Sequence, residues 1–250
     1  MPSFGVRPPP RRIRPAGPPG WSLVEAPPAA EHRATVFWLH GLGADGTDFL
    51  PILPALGLLD DLGIRFVFPE APPRPVTLNG GMIMPAWYDI RDLSREGHAD
   101  REELQAAATG LSALIRAERK RGIPPERIVL AGFSQGGVVA LHTALTRQRG
   151  ESEPPRVAGV LGMSCYLAFP EAVTPAGAGS PPVMLAHGTE DEMIDISLGR
   201  RARDTLGDAG WNVDFRTYFM GHHVSDAEVR DVRGFLRRVL EASGSLEVGG

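Results

Sequence analysis

The chain predicts an α/β fold, a mostly parallel sheet with helices on both faces in a single domain. Three observations point to it. Short apolar, β-branched runs alternate with helical periodicity from residue 34 onward, the order that builds parallel sheets with crossover helices. The run Arg127–Ala131 is apolar on consecutive residues after its first, as expected of a strand covered on both faces. Immediately after it, Gly132-Phe133-Ser134-Gln135-Gly136-Gly137 packs one serine between glycines, which lets a strand reverse into a helix within a few residues.

Residues 1–20 carry Pro8-Pro9-Pro10, Pro18-Pro19 and several arginines, a composition that builds no core element, so a flexible extension is expected there and an α/β domain over 21–250. A short strand is expected at Ser22–Glu25, ended by Pro27-Pro28. Ala34–Leu39 is the first full strand, stopped by His40-Gly41-Leu42-Gly43, and Ile64–Phe68 is the next, stopped by Pro69. From Ala71 to Ile90 early prolines and Gly80-Gly81 give no regular pattern, although Met82, Ile83, Met84 and Trp87 are large and apolar. A long irregular segment of this kind is often functional, and its residues suit an apolar ligand.

Helical spacing returns over Arg101–Arg121, with Leu104, Ala108, Leu111 and Ile115 on one stripe and Gly122 as the stop. After Ser134, Val138–Leu145 reads as a helix. A strand follows at Val157–Leu161, a loop at Phe169–Pro182, a strand at Val183–Ala186, a helix at Ser197–Leu206 and a strand at Val213–Phe219. The last helix begins at Ser225, with Glu228 three residues on in a capping-box pattern.

Composition narrows the function classes. The chain has 250 residues, 42% hydrophobic and 22% charged, with a formal charge of −4 and no long basic run, so it lacks the electrostatic footprint of a nucleic-acid binder. Cys165 is the single cysteine, which excludes an internal disulfide and a cysteine metal cluster. No signal segment or transmembrane span is apparent, so a cytoplasmic location is expected.

Thirty glycines make a G-x-S-x-G match weak by itself; the strand before it and helix after it give it weight. A serine hydroxyl needs a base to take its proton and a third group to orient that base. His40 and His187 end strands, His142 lies within a helix, and His32 and His98 sit in polar stretches. His222 and His223 follow the last strand, at the same sheet edge as Ser134. Glu190, Asp191, Glu192 and Asp195 follow the preceding strand, and spacing does not choose among them. Serine, acid, histidine in that chain order is the order of an α/β-hydrolase triad. The Gln135 N–H opens a helix, where an oxyanion is favoured, and the glycines of 41–46 allow the Leu42 N–H to be the second donor.

Five segments together resemble the phospholipase/carboxylesterase family of α/β-hydrolases, which includes acyl-protein thioesterases and small bacterial carboxylesterases. They are Leu39-His40-Gly41-Leu42-Gly43-Ala44-Asp45-Gly46, Met84-Pro85-Ala86-Trp87-Tyr88-Asp89-Ile90, Gly132-Phe133-Ser134-Gln135-Gly136-Gly137, His187-Gly188 with Asp191, and Met220-Gly221-His222. The resemblance implies Ser134 as nucleophile, Asp191 as acid and His222 as base, Leu42 and Gln135 amides as the oxyanion hole, and Trp87 with Met82 and Met84 at an acyl site. It implies a serine carboxylesterase acting on short to medium acyl esters without metal or organic cofactor. Leu56, Leu58 and Leu59 are expected to add to the apolar acyl surface. The alternatives are an acyl-protein thioesterase or lysophospholipase using the same groups and, from another class, a noncatalytic binding module on the fold. The partner expected is a small-molecule ester or acyl thioester, with a homodimer covering the apolar loops.

Overall fold

The switch in strand order beside the central strand sets where everything else stands. The computed structural model describes residues 8–13, 20–57, 61–91, 99–148 and 150–241. In chain order the elements are β1 (Arg11–Ile13), β2 (Ser22–Ala26), β3 (Ala34–Leu39), α1 (Leu53–Leu56), β4 (Ile64–Glu70), β5 (Pro73–Val76), β6 (Met82–Pro85), α2 (Arg101–Lys120), β7 (Ile128–Phe133), α3 (Gln135–Leu145), β8 (Gly159–Met163), β9 (Val183–Gly188), α4 (Ile196–Asp208), β10 (Val213–Tyr218) and α5 (Asp226–Glu241). Eight strands form one sheet in the order β1-β2-β4-β3-β7-β8-β9-β10. β1 pairs antiparallel with β2 and β2 with β4, while β4, β3, β7, β8, β9 and β10 run parallel to one another. The chain moves outward from β3 to β4 and then returns to place β7 on the other side of β3. The loops after β3 and β7 therefore leave side by side, and ligands of open α/β sheets bind at such a switch point.

Each face of the sheet carries its own apolar layer. Ile128 and Leu130 of β7 join the layer that includes α2 and α3, whereas Val129 and Ala131 join the one that includes α1 and α5. The alternation is the period of two of a strand, here apolar in both directions because both faces are covered. On α5, Val229, Val232, Phe235, Leu236, Val239 and Leu240 are buried, the stripe expected of a helix laid on a sheet. Leu56 belongs to this layer and is fully buried. It is core and offers no acyl surface, which corrects the expectation for that residue, while Leu58 and Leu59 lie outside the described residues.

Several boundaries differ from those the sequence predicts. Arg11–Ile13, expected to carry no element, pairs antiparallel with β2 because Arg11 reaches Glu25 at 2.6 Å and Arg12 reaches Glu70 at 2.9 Å. The segment after Ala71 contains a hairpin in which Pro73 faces Pro85 and Pro75 faces Ile83; prolines mask its strand character but are tolerated on an edge. Strand β8 sits two residues later than its apolar run suggests, because Val129 of β7 pairs with Gly159 and Phe133 with Met163. Among the described residues no helix is long and apolar enough to cross a membrane.

Candidate active site

Ser134 sits at the hinge between β7 and α3 with φ 54° and ψ −123°. A side chain in that left-handed region costs about 1–3 kcal/mol and persists only where neighbours over-determine it. Those neighbours are the glycines. A Cβ on Gly132 would lie 2.3 Å from the carbonyl of Gly136, and one on Gly136 would lie 2.4 Å from the Leu39 oxygen. No side chain fits at either position, so the helix start is pressed against the ends of β7 and β3. The Ser134 N–H is in turn fixed to the Met163 carbonyl of β8 at 2.8 Å.

Asp191 and His222 come from the loops that follow β9 and β10. Nε2 of His222 lies 3.0 Å from Ser134 Oγ, and its Nδ1 lies 2.8 Å from Asp191 Oδ2. With Asp191 ionised, Nδ1 carries the proton and donates to it, which leaves Nε2 as acceptor for the serine hydroxyl. The ring of Phe133 packs 4.8 Å from the imidazole. A Cβ on Gly188 would lie 2.3 Å from the Met220 oxygen, so only glycine lets the acid and base loops approach this closely.

Geometry separates the four acids that spacing leaves equal. Glu190 and Glu192 are exposed. Asp195 caps α4 by accepting the Ser197 N–H at 2.8 Å. Asp191 alone turns inward, where Oδ1 accepts the N–H groups of Met193 at 3.0 Å and Ile194 at 2.8 Å. Burial pushes its pKa up, but the bonds from His222 and the Ile194 N–H outweigh that, and its carboxyl is held below the usual carboxylate range. His187 is 3.6 Å from the same carboxylate without competing for it. Burial pushes the His187 pKa down, and its Nε2 is occupied by the Ile194 carbonyl at 2.8 Å.

His223 is exposed and stands outside this relay. His40 is buried and neutral in character, its pKa lowered by burial; Nε2 accepts the Ala71 N–H at 3.0 Å and Nδ1 meets the Gly41 carbonyl at 2.7 Å. His32 is half-buried against Thr35, and His98 lies outside the described residues.

A Cβ added to Gly41 would stand 3.4 Å from Ser134 Cβ, so the loop after β3 runs alongside the serine. Among the described residues the Leu42 N–H makes no hydrogen bond, and the Gln135 N–H is the first of α3, where no intrahelical partner exists. Both donors flank Ser134 beyond the ends of β3 and β7, without a backbone partner among the described residues. Met84 adjoins this loop, its sulfur 3.7 Å from where a Gly43 Cβ would be. Met82 and Ile83 are 63% and 70% exposed on the hairpin. Trp87, expected at an acyl site, is buried, packs 4.9 Å from Trp21, and donates its indole N–H to the His40 carbonyl at 2.9 Å. Met193, which the sequence does not single out, is 56% exposed two residues from Asp191, and a large apolar residue inside an acidic loop is the signal that marks it.

Residues 22–240 match the phospholipase/carboxylesterase family. The chain belongs to that family. This phospholipase/carboxylesterase member is a serine hydrolase of the α/β-hydrolase fold. It is 34% identical over 239 residues to acyl-protein thioesterase 1 of Emericella nidulans, covering 88% of this chain and 97% of that protein. Identity to acyl-protein thioesterase 1 of Neurospora crassa is 36% over 236 residues, covering 88% and 94%. Acyl-protein thioesterase 2 of Zea mays superposes with a TM-score of 0.76 at 30% identity, over 87% of this chain and 98% of that one.

Proposed function

We propose that this family member hydrolyses esters and thioesters of apolar acyl chains through an acyl-enzyme on Ser134. One observation carries the reading, the unbroken relay from Ser134 Oγ to His222 Nε2 and from His222 Nδ1 to Asp191. As Ser134 Oγ attacks the acyl carbonyl, Nε2 takes its proton, and Asp191 holds the ring and steadies the imidazolium that forms. The carbonyl oxygen becomes negative between the Leu42 and Gln135 amides, and each such donor is typically worth about 10²–10³ in rate. The imidazolium then protonates the departing alcohol or thiol. Water, activated by the same nitrogen, releases the acid and restores Ser134.

Met82, Ile83, Met84 and Met193 supply apolar surface on loops and strands that adjoin these groups, which supports an apolar acyl group. Oxygen and sulfur leaving groups pass through one tetrahedral intermediate, so the catalytic groups accept both. The relatives named as acyl-protein thioesterases favour thioesters of acylated proteins among the natural substrates. The test is a panel of oxygen and sulfur esters matched in acyl chain, assayed on the wild type beside Ser134→Ala. A drop of about 10⁴-fold or more in kcat is expected, and undiminished hydrolysis by Ser134→Ala overturns the reading. A sulfur-ester kcat/KM below that of its oxygen partner overturns the thioester preference.

A further inference from the structure

The side chain of Gln135 does something that its place in the oxyanion hole does not require. It is 2% exposed in the first turn of α3, and its amide faces away from solvent into the segment that follows the β5–β6 hairpin. Oε1 accepts the Trp87 N–H at 2.8 Å, and Nε2 donates to the Tyr88 carbonyl at 2.7 Å. A neutral amide meets both demands, since one group must accept and the other donate, whereas an ionised carboxylate only accepts.

Residues 85–88 carry that grip to the other side of the site. The Trp87 indole N–H holds the His40 carbonyl at 2.9 Å, and the Pro85 carbonyl holds the Gly43 N–H at 2.9 Å. These two bonds bracket Gly41 and Leu42. Sheet pairing ends at Leu39, which lies opposite Gly132, so beyond that residue no ladder bond sets the height of the loop. The bracket does. The Trp87 ring is also 5.0 Å from the His40 ring, and His40, Ala86, Trp87 and Tyr88 are all buried. The connection is dry, and each bond in it is strengthened accordingly.

We infer that the Gln135 side chain is a positioning residue that fixes, through Trp87, the spacing between the two amides awaiting the oxyanion. The residue thereby acts twice, with its own N–H as one donor and its side chain as the tether of the other. Substituting the side chain leaves its N–H in place, so the tether is tested separately from the donor. The inference rests on the acyl-transfer reading of Ser134. Oxyanion donors act on charge that develops in the transition state, so a displaced donor lowers kcat and leaves ground-state binding unchanged.

The experiment uses the full chain carrying Gln135→Met, which keeps length and removes both polar atoms, and Trp87→Phe, which keeps an aromatic ring and removes the indole N–H. Each is assayed on a chromogenic apolar ester, and its affinity is measured for an alkyl boronic acid that forms a tetrahedral adduct on a serine oxygen. In both variants kcat is expected to fall about 10- to 100-fold, part of the value of one donor, with KM within about threefold. Boronate affinity is expected to weaken by the same factor as kcat. If folded Gln135→Met and Trp87→Phe keep kcat within about twofold, or lose only KM while the boronate binds as before, the positioning role is overturned. Should Gln135→Met not fold, Gln135→Ala decides by the same readouts, since Trp87→Phe keeps the Gln135 bonds and tests only the indole bond to His40. Failure of the acyl-transfer reading shows elsewhere, as absent turnover in the wild type or full turnover in Ser134→Ala.

Discussion

Replacing Glu228 by glutamine is expected to flatten the pH dependence of stability. Glu228 lies in the first turn of α5 and is fully buried. Its N–H is capped by Ser225 Oγ at 3.3 Å, one half of the capping box that the sequence suggests. The other half is incomplete. Neither carboxyl oxygen has a partner of good geometry among the described residues, and the Ser225 N–H offsets only part of the burial, which pushes the pKa from 4.5 to about 8. Facing it are Tyr218 of β10, whose hydroxyl donates to Asp231 and is pushed up by burial and by that bond, and Cys165, whose thiol burial also pushes up. Both stay protonated where Glu228 titrates. A raised folded pKa means that the native state keeps a proton which the unfolded chain releases. Stability from this group is therefore full below about pH 4.5 and falls until the native state releases the proton near pH 8. At about 1.36 kcal/mol per pKa unit, the loss between about pH 6 and about pH 8 is roughly 2–3 kcal/mol. Urea unfolding followed by tryptophan fluorescence at those two pH values measures it. The wild type is expected to lose that much more stability than Glu228→Gln, since all other titrating groups are shared. Equal losses in the two proteins refute the burial argument. The loop bearing His222 ends at this turn, so alkaline loosening acts on the element that anchors that loop.

Two further outcomes follow from the site. Asp191→Asn puts an amide where Nδ1–H of His222 must donate, and kcat is expected to fall about 10⁴-fold with little change in KM, measured by steady-state kinetics. Gly136→Ala drives a methyl to within 2.4 Å of the Leu39 oxygen, so β3 and α3 must part; urea midpoints are expected to show a loss of about 1–3 kcal/mol, with kcat lowered as well.

What the sequence made legible was what local pattern controls. A strand buried on both faces is apolar at most positions, so β3, β7 and β9 stood out, and α2 showed its stripe together with Gly122, which at φ 92° ends it. The serine was legible because glycine is required on both sides of a strained turn. Elements decided by a partner were not. Strand β1 is three residues long and rich in arginine, and only Glu25 and Glu70 across from it give it a place. Strand β8 took its register from β7 against its own apolar run. Spacing could not choose Asp191, because the choice depends on which carboxylate meets the Met193 and Ile194 amides inside the loop. The Gln135 side chain was hidden for a similar reason. A glutamine in a first helical turn reads as solvated, and its two partners lie 47 and 48 residues away.

The sheet also explains why His222 comes from a loop. Ser134 follows β7, Asp191 follows β9 and His222 follows β10, with β8 between Ser134 and Asp191. Strands about 4.8 Å apart put β7 and β10 roughly 14 Å from each other, farther than an imidazole can reach from a strand end. Residues 219–222 cross that distance, and they can do so only if β8 does not rise between them. It does not, because the chain turns aside at Ser164, the second non-glycine residue with positive φ, 45°, its N–H held by the Ala186 carbonyl of β9 at 2.8 Å while the Met163 carbonyl holds Ser134. The two strained serines stand at the ends of adjacent strands, one beneath the hydroxyl that His222 meets and the other where β8 gives way to a loop.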